Sequence, residues 1–283
     1  MGEILEPADP LGASRGLARK RELALERLRG CGGVVVALSG GVDSAVLLAL
    51  ALEALGAGRV LAATGISPSL ARTDLAECAR IAEFLGARLE QIPTHELERP
   101  EYRANRGDRC FHCRSELFAV LHGLARDRGL PRVAYGAIVD DLGDFRPGMR
   151  AAAQWGAVAP LLEAGLRKDE VRRLARAAGL FVADKPAGAC LASRLPVGTE
   201  VTLGLLARVE RAEAALREMG FRRVRVRHHG EVARIELDAE ELARALEPEC
   251  RSGIARAVRE AGYRYVALDL EGYRPGSLNS IAG

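Results

Sequence analysis

The sequence predicts an α/β protein, in which a doubly wound parallel sheet is followed by a smaller C-terminal α+β domain. Between residues 34 and 92, short apolar runs typical of strands alternate with amphipathic stretches typical of helices. This βαβαβ spacing favours a parallel sheet with helices on both faces. Beyond residue 198 the pattern changes to a helix, a hairpin and further short elements. We therefore expect two domains, at residues 14–198 and 199–280.

The composition limits the classes of protein to which the chain can belong. Its 283 residues are 48% hydrophobic and 28% charged, which suits a folded core and argues against general disorder. The net charge of +3 is too small to argue for nucleic-acid binding. Because we recognise no targeting segment and no apolar run long enough to span a bilayer, we expect a cytoplasmic protein without membrane association. In that compartment, six cysteines favour reactive or metal-binding thiols over disulfides.

A glycine-rich turn separates the first predicted strand, at Val34–Val36, from a helix that covers Ala45–Leu52. The turn reads Ser39-Gly40-Gly41-Val42-Asp43-Ser44. Its glycines permit positive φ and a close approach of the backbone to a ligand. We expect Asp43 or Ser44 to cap the helix, and the remaining free N–H groups to face an anion at its N-terminus. The turn therefore predicts a phosphate site, although neither G-x-x-x-x-G-K-[ST] nor G-x-G-x-x-G occurs.

Three further strands are predicted, at Arg59–Thr64, Arg88–Ile92 and Arg132–Tyr135. Ligands of parallel sheets bind beyond the carboxyl ends of the strands. Asp140 and Asp141 follow the fourth strand, where they would hold Mg²⁺ on a pyrophosphate or, alternatively, cap a loop. Irregular structure is expected for residues 1–13, 97–108 and 182–198.

Cys110 and Cys113 form a C-x-x-C pair at the start of a predicted helix, and Cys190 follows in a long loop. A second C-x-x-C is lacking, so a four-cysteine zinc ribbon is excluded. The pair also does not follow a first strand, as thioredoxin-like exchange requires. Three thiolates are soft ligands suited to an iron–sulfur cluster. The other cysteines are expected to be small buried residues: Cys31, Cys78 and Cys250.

Arginines alternate with valines near the C-terminus. On a strand, Arg223, Arg225 and Arg227 would share one face, with Val224 and Val226 on the other. Such a row of guanidinium groups recognises phosphate or carboxylate through bidentate hydrogen bonds. The alternative is a solvated strand face whose arginines pair with glutamates.

Six segments of the chain together resemble one family. They are Ser39–Ser44, Arg109–Arg114, Asp140–Gly148, Lys185–Arg194, Arg225–His228 and Leu268–Arg274. The first resembles the PP-loop of ATP pyrophosphatases. The whole set, spanning about residues 15–280, resembles the LarE family of ATP-dependent sulfur transferases, which build the nickel-pincer nucleotide cofactor of lactate racemase. The resemblance implies a PP-loop fold of the adenine nucleotide alpha hydrolase type.

The resemblance also implies residue roles. The pyrophosphate of ATP is assigned to Ser39, Gly40, Gly41, Asp43 and Ser44, and the adenosine to Thr64 and Ile66. The phosphate of the substrate is assigned to Arg225 and Arg227, assisted by Arg274. The same nucleotide and substrate sites include Gly136, Arg194 and Glu213, and Asp140 is the candidate ligand of Mg²⁺. Catalytic roles fall to Cys190, which matches the family's sulfur-bearing cysteine, and to Asp43, Ser44 and Glu213.

In this family, ATP adenylylates a carboxylate of pyridinium-3,5-biscarboxylate mononucleotide with release of pyrophosphate, and sulfur then displaces AMP. One route takes the sulfur of a single cysteine, which becomes dehydroalanine. The other uses a [4Fe–4S] cluster on three cysteines, whose open iron carries a hydrosulfide. The presence of Cys110 and Cys113 beside Cys190 favours the cluster route. One departure is that Gly136-Ala137-Ile138 stands where the family often has Gly-Thr-Asn, which removes two polar side chains from this loop.

The expected partners are a small nucleotide substrate, hydrosulfide or another sulfur donor, other nickel-pincer assembly proteins and further copies of this chain. An alternative is a PP-loop enzyme that thiolates tRNA, but aromatic residues make up 4% of the chain, few for stacking on bases. An ammonia-dependent amide synthetase would leave the three cysteines without a role. A non-catalytic nucleotide-binding module with a structural metal is the remaining alternative.

Overall fold

The computed structural model describes residues 10–142, 147–186 and 188–274. The described residues form two compact units. Those of Met1–Ile66, Arg72–Thr94 and Cys110–Gly188 make up the first unit, and those of Ser67–Ala71, His95–Arg109 and Ala189–Gly283 make up the second. The domain limits expected at residues 14–198 and 199–280 stay a prediction. Residues 143–146, 187 and 275–280, on which parts of the predicted segments and domains fall, lie outside the described residues.

Strands and helices alternate along the first part of the chain. The strands are β1 (Val34–Ala37), β2 (Val60–Ile66), β3 (Leu89–Pro93), β4 (Arg132–Ala134), β5 (Val224–His229), β6 (Val232–Leu237) and β7 (Tyr265–Leu268). The helices are α1 (Pro10–Gly30), α2 (Val42–Leu55), α3 (Arg72–Phe84), α4 (Pro100–Ala104), α5 (Arg109–Asp127), α6 (Pro147–Gln154), α7 (Pro160–Glu163), α8 (Lys168–Ala177), α9 (Leu203–Glu218), α10 (Leu242–Leu246) and α11 (Pro248–Glu260). None of these helices in the described ranges has the length and apolar character needed to cross a membrane.

The first unit is built on a parallel sheet whose strand order is β3-β2-β1-β4. β1 lies between β2 and β4, so that Val34 stands beside both Val60 and Arg132. The strand order reverses at β1, and ligands of open α/β sheets bind outside the carboxyl ends of strands at such a point. The predicted α/β fold is confirmed, and the glycine-rich turn after β1 lies at this switch point.

β1 is buried on both of its faces. Val34 and Val36 belong to one hydrophobic cluster, which includes Leu47 of α2. Val35 belongs to a second cluster, which includes Phe118 of α5. Because successive side chains of a strand point to opposite faces, an uninterrupted run of valines fits a strand covered by helices on both sides.

The second unit contains a small mixed sheet with helices, which agrees with the predicted α+β character. β5 and β6 form an antiparallel hairpin, in which Arg227 lies opposite Arg234, and β7 runs parallel to β6. The turn between β5 and β6 contains Gly230 at a φ of +64°. Val224 and Val226 are fully buried in the core of this unit. The arginines between and beyond these valines therefore lie on the other face of the hairpin.

Three segments contradict the expectation of irregular structure. α1 begins at Pro10, within residues 1–13. Residues 97–108 contain α4, which starts with Pro100 at its first position and ends at Asn105, whose φ of +49° is left-handed. Proline at a helix start and asparagine at a helix end are ordinary boundary residues, and here they enclose a single turn of helix. The loop at residues 182–198 contains a 3₁₀ turn over Leu191–Arg194.

Candidate functional site

The segment Ser39–Ser44 forms the turn between β1 and α2. The Ser44 hydroxyl closes this turn, because its Oγ donates to the Gly41 carbonyl at 3.0 Å and accepts from the Ser39 N–H at 3.2 Å. Gly41 occupies the N-cap position of α2 and supplies no side-chain hydrogen bond. The expectation that Asp43 or Ser44 caps the helix is therefore wrong, since both lie inside its first turn.

Backbone N–H groups at this turn have no acceptor within the helix. The first helical hydrogen bond of α2 runs from the Ala45 N–H to the Gly41 carbonyl at 3.1 Å, so the N–H groups of the three residues between them are left over. Gly40 has a φ of +74°, a conformation that glycine adopts readily. Unpaired donors and the positive end of the helix dipole attract anions. The turn is therefore suited to hold a pyrophosphate group.

Glycines let neighbouring backbone approach the turn closely. A Cβ atom added to Gly136, which follows β4, would lie 2.8 Å from the Ser44 nitrogen and 3.0 Å from the Asp43 carbonyl carbon. A Cβ atom on Gly40 would lie 3.0 Å from the Asp74 carbonyl oxygen. Contacts this short leave no room for a side chain. The predicted site residue Gly136 is thus packed directly against the start of α2.

Thr64 and Ile66, the candidate adenosine contacts, lie at the carboxyl end of β2. Thr64 is buried, and its hydroxyl donates to the Leu38 carbonyl at 2.9 Å. The Ile66 carbonyl accepts the Thr94 N–H at 3.0 Å. The Thr64 hydroxyl therefore supports the strand before the turn. A role of either residue in adenosine binding stays a prediction.

Two carboxylates meet at Lys168, the first residue of α8. The Lys168 ammonium lies 2.7 and 3.0 Å from the carboxylate oxygens of Asp43, and the Lys168 N–H donates to Asp140 at 3.0 Å. Burial raises the pKa of Asp43, and the nearby Lys168 opposes that rise without cancelling it. Asp141 accepts the Ile138 N–H at 3.0 Å, so this carboxylate caps its own loop. Asp43 and Asp140 offer the hard oxygen ligands that Mg²⁺ prefers.

A cavity of about 570 Å³ extends along α8 from Lys168. Its lining residues are Asp140, Lys168, Asp169, Arg172, Arg173 and Arg176. Arg173 and Arg176 pair with Asp169 and Asp184. The Nε atom of Arg172 is buried and has no hydrogen-bond partner among the described residues, and the charge of this arginine, like that of Lys168, opposes the rise in the pKa of Asp43. We call this cavity the α8 groove; it is a positively charged space beside the turn.

The predicted sulfur-site cysteines lie in different units. Cys110 and Cys113 lie at the start of α5, three residues and about one helical turn apart, and therefore on one side of the helix. Cys110 is exposed and Cys113 is partly buried. Cys190, in the second unit, is also partly buried, and Arg194 donates to its carbonyl at 2.8 Å. None of the six cysteines forms a disulfide. Within the described ranges, no three or more His, Cys, Asp and Glu residues come close enough to hold a metal ion.

The remaining cysteines were expected to be small buried residues. Cys78 fits this expectation, because it is fully buried beside the turn and burial raises the pKa of its thiol to about 11. Cys31 and Cys250 are partly buried. A thiol with a pKa of about 11, as at Cys78, is a poor nucleophile and a poor metal ligand. Cys78 is therefore not a candidate for sulfur chemistry.

Glu213 of α9 is the centre of a buried ionic network in the second unit. It is fully buried and accepts two hydrogen bonds from Arg194, at 2.8 and 3.0 Å, one from Arg217 at 2.7 Å, and one from the Val226 N–H at 3.1 Å. Burial alone would raise the pKa of Glu213, but the neighbouring arginines, Arg194 first, hold the pKa below its usual range. Glu213 is therefore an anion that joins Arg194, from the turn Leu191–Arg194, to the backbone of β5.

The arginines of β5 differ in how fully they are paired. Arg227 is buried and donates to Glu236 at 2.8 and 3.0 Å and to the Ser193 carbonyl at 3.1 Å. Arg225 forms no ion pair in the part of the chain that the structure describes, and its Nη1 donates to the Val224 carbonyl at 2.9 Å. Burial and the nearby Arg194 lower the pKa of Arg225. Arg225 is thus a cation available to an anionic ligand.

Tyr273 and Arg274 lie beside this face of the hairpin. The guanidinium groups of Arg223 and Arg225 lie 5.3 and 5.4 Å from the centre of the Tyr273 ring. Arg274 is exposed and pairs with Glu271 at 2.5 Å and, more distantly, with Asp269 at 3.7 Å. The structure therefore brings Arg194, Glu213, Arg225 and Arg227 together, with Arg274 on the same unit.

Sequence reasoning missed three charged residues that these sites depend on. Lys168 pairs with Asp43, Lys185 contacts the carbonyl of Gly40, and Glu236 holds Arg227. For Glu236 there was a signal, because charged and apolar residues alternate in Arg234-Ile235-Glu236, on the strand that pairs with β5. No comparable local signal marks the two lysines, because their partners lie more than a hundred residues away along the chain.

Comparison with known proteins places the chain in a family. A family model described as NAD synthase matches residues 24–116, which contain the glycine-rich turn and the first turns of α5. A protein of Synechocystis sp. named "Uncharacterized protein slr1717" is 40% identical over 264 residues, covering 92% of this chain and 98% of that protein. A protein of Methanocaldococcus jannaschii named "Uncharacterized protein MJ0830" is 24% identical over 241 residues, covering 85% of this chain and 90% of its own length.

The third relative carries a functional name. It is the pyridinium-3,5-bisthiocarboxylic acid mononucleotide synthase of Lactiplantibacillus plantarum, 35% identical over 271 residues, covering 93% of this chain and 95% of the synthase. That likeness extends over 93% of this chain and therefore covers most of both units. On this ground the chain belongs to the LarE family of PP-loop proteins, a family of ATP-using enzymes.

Proposed function

We propose that the protein is an ATP-dependent sulfur transferase, which converts a carboxylate of pyridinium-3,5-biscarboxylate mononucleotide into a thiocarboxylate. The observation that carries the proposal is the 35% identity to the named synthase over almost the whole of both chains. The turn after β1, with its unpaired N–H groups, supports the ATP half of the reaction. The half-buried Arg225 supports recognition of an anionic nucleotide.

In the first step a carboxylate oxygen of the substrate attacks the α-phosphorus of ATP. The new O–P bond forms as the bond between the α-phosphorus and the bridging oxygen breaks, and pyrophosphate leaves with that electron pair. Developing charge on the leaving group is stabilised by the N–H groups at the start of α2, with Ser39, Gly40, Gly41, Asp43 and Ser44 around it. The product is an acyl adenylate.

Mg²⁺ is part of this proposal, and the residues present fit it. The carboxylates of Asp43 and Asp140 are both held by Lys168, one through its ammonium and one through its N–H. A bound Mg²⁺ would neutralise charge on the leaving pyrophosphate. Lys168 and Arg172 of the α8 groove add cationic groups on the side of the turn where Asp43 lies.

In the second step a sulfur nucleophile attacks the carbonyl carbon of the acyl adenylate. A C–S bond forms, the C–O bond to AMP breaks, and AMP leaves with the electron pair and a negative charge. We propose that Arg225 binds the phosphate of the substrate, that Arg227 is held beside it by Glu236, and that Arg274 assists. Glu213 and Arg194 then act as the supports of this face, since the Glu213 carboxylate already accepts four hydrogen bonds.

We further propose that Cys110, Cys113 and Cys190 hold a [4Fe–4S] cluster. The chemistry of the donors fits, because Cys110 and Cys113 present two thiols on one side of the start of α5, and cysteine sulfurs are the usual ligands of iron–sulfur clusters. A cluster held by three cysteines leaves one iron open to a sulfide. Arg194, through its bond to the Cys190 carbonyl, orients the third thiol.

The remaining parts of the proposal concern domains and surroundings. The domain at residues 199–280 would bind the substrate and assemble copies of the chain, while residues 14–198 would bind ATP. A cytoplasmic location would keep the thiols reduced. Hydrosulfide or another sulfur donor and the other nickel-pincer assembly proteins would be the partners.

The test begins with iron and acid-labile sulfide on protein purified without oxygen, for wild type, Cys190→Ala and the control Cys250→Ala. We expect about four irons per chain in wild type and in the control, and loss of the cluster in Cys190→Ala. Absence of iron from reconstituted wild type would contradict the cluster. The sacrificial route would then be recognised by a protein mass reduced by one hydrogen sulfide after reaction.

The overall activity is tested with ATP, the biscarboxylate nucleotide and sulfide. AMP should form together with a nucleotide in which sulfur replaces oxygen, as read by mass spectrometry. ATP turnover with tRNA and not with this nucleotide would favour the thiolation of tRNA instead.

A further inference from the structure

Lys185 is a partly buried lysine to which the proposed reaction gives no role. Its ammonium lies 3.1 Å from the Gly40 carbonyl oxygen and 2.9 Å from Asp74, and it also pairs with Glu77. Only 20% of the side chain is exposed. Burial alone would lower the pKa of Lys185, but Glu77 and Asp74 raise it above its ordinary value. Lys185 is therefore a fixed positive charge behind the glycine-rich turn.

The contact with Gly40 sets the direction of the next peptide N–H. A peptide group is planar and trans, so the Gly40 carbonyl and the Gly41 N–H point in opposite directions. With its carbonyl turned to Lys185, this peptide group directs the Gly41 N–H away from the lysine. Among the described residues, the Gly41 N–H donates to no acceptor. Lys185 thereby orients a further unpaired N–H group of the turn, beside those at the start of α2.

The contact with Lys185 also ties the turn to α3. Gly40 rests on α3, since a Cβ atom at this position would lie 3.0 Å from the Asp74 carbonyl oxygen and 3.4 Å from the Cys78 sulfur. The same stretch of α3 supplies the two carboxylates that bind Lys185. One ammonium therefore joins the Gly40 carbonyl to the helix on which the turn rests.

The charges around Lys185 do not balance. Two carboxylates share one ammonium, which leaves a net negative charge beside a turn suited to an anion. Asp74 and Glu77 are 22% and 27% exposed, so water screens them incompletely. Removal of the ammonium would leave both carboxylates unpaired and facing the Gly40 carbonyl, an arrangement that is unfavourable.

We propose that Lys185 is a positioning residue for pyrophosphate binding, acting through the Gly40 carbonyl to aim the Gly41 N–H at the anion. The inference rests on the proposed function in one respect, namely that the turn Ser39–Ser44 holds the pyrophosphate of ATP. It adds a residue outside the turn whose removal weakens nucleotide binding without touching the nucleotide.

The test is titration calorimetry of inorganic pyrophosphate with Mg²⁺ on the full chain. Lys185→Met should weaken binding roughly tenfold or more, and Lys185→Arg, which keeps the charge, should lose less. The matched control is Lys20→Met, because Lys20 is also a half-buried lysine of the first unit, paired with Glu170 at 2.8 Å. This control should bind pyrophosphate as wild type does.

A second variant separates positioning from simple neutralisation. In Lys185→Met combined with Asp74→Asn and Glu77→Gln, no carboxylate is left unpaired. The pyrophosphate affinity should stay reduced, because the ammonium that holds the Gly40 carbonyl is still missing. Full recovery of affinity in this triple variant would overturn the proposal.

Steady-state AMP formation gives an independent readout. Loss of positioning should raise the KM for ATP of Lys185→Met by a similar factor, with kcat largely kept in the folded protein. A merely structural defect would lower kcat with the folded fraction and leave KM unchanged, which would overturn the proposal. If wild type itself bound neither pyrophosphate nor ATP, the proposed function would fall and this inference with it. Equal binding by wild type and Lys185→Met would overturn the inference alone.

Discussion

The two anion sites that the sequence predicts are made of different chemical groups. The turn at Ser39–Ser44 offers backbone N–H groups, which belong to the start of α2 and to peptide groups packed closely around Gly40 and Gly136. The face of β5 offers guanidinium groups, most of which are already bound to carboxylates. A backbone site can be recognised from a short stretch of sequence, whereas the availability of each arginine is decided by acidic residues elsewhere in the fold.

The face of β5 shows how such acidic residues divide the arginines. Glu236 binds Arg227, and Glu213 binds Arg194, while Arg225 is left without an ion pair among the described residues. Arg223, the first arginine of the row, pairs with Asp238 at 3.2 Å. The row of three arginines in the sequence thus becomes one available cation between two paired ones. The predictions below test this contrast between the two sites.

The largest expected effect is loss of the buried carboxylate at the centre of the arginine network. Glu213→Gln should lower the free energy of unfolding by about 3–5 kcal/mol, because Arg194 and Arg217 lose the anion that compensates their charge. Urea denaturation measures the change. The control is Glu218→Gln at the exposed end of the same helix, which should change stability by less than about 0.5 kcal/mol. Equal, small effects in both variants would show that the network is dispensable.

The lowered pKa of Glu213 also leads us to expect that the free energy of unfolding depends on pH. The pKa of Glu213 is lower in the folded protein than its ordinary value of 4.5. Its contribution is therefore complete above that value and is lost as the pH falls through the folded pKa. Between neutral pH and about pH 5, wild type and Glu213→Gln should lose stability in parallel. Below the ordinary pKa, wild type should lose more, so that the two curves converge.

A smaller effect on stability is expected at the backbone site. Gly136→Ala should cost about 1–3 kcal/mol, because the added Cβ would lie 2.8 Å from the Ser44 nitrogen. It should also abolish pyrophosphate binding in a calorimetric titration, since the start of α2 must move. Gly123→Ala is the control, because Gly123 lies in α5 with open space around its Cβ position. Normal pyrophosphate binding by folded Gly136→Ala would show that this close contact does not shape the site.

The smallest effect on stability is expected at Arg225. Arg225→Gln should change the free energy of unfolding by less than about 0.5 kcal/mol, since the residue forms no ion pair to lose. It should raise the KM for the nucleotide substrate by roughly tenfold to a hundredfold, the worth of a charge-assisted hydrogen bond. Arg227→Gln, by contrast, should resemble Glu213→Gln in denaturation. A large loss of stability in Arg225→Gln with an unchanged KM would reverse the roles assigned to these two arginines.

Local patterns were sufficient to predict much of the fold. The centre of the parallel sheet follows from three adjacent segments: the run Val34–Val36, the glycine-rich turn and the apolar helix after it. The conformation of each segment depends mainly on residues close to it in sequence. The hairpin of β5 and β6 was likewise predicted from its alternation and its glycine. Short helices such as α4, α6 and α7 were not predicted, since a helix of one or two turns depends on packing more than on periodicity.

The candidate site likewise contains features that the local sequence predicts and features that it does not. The unpaired N–H groups of the turn follow from its sequence, but the lysines that hold Asp43 and the Gly40 carbonyl are 125 and 145 residues away along the chain. Arg194 lies in a loop, whereas its partner Glu213 lies on the buried side of α9. From periodicity alone, an acidic residue would be expected on the polar face of such a helix. Such contacts between distant segments cannot be read from spacing.

The glycines around the turn after β1 also bear on how this protein can evolve. At Gly40 and Gly136 any side chain would meet backbone atoms, so almost no substitution would be tolerated at these positions. Single substitutions at these glycines can therefore hardly change the specificity of the turn for its phosphate ligand. On the second unit, exchange of one acidic residue releases or engages a different arginine. A lineage that acquires a new substrate would be expected to change the acids of that unit first, while the turn stays as it is.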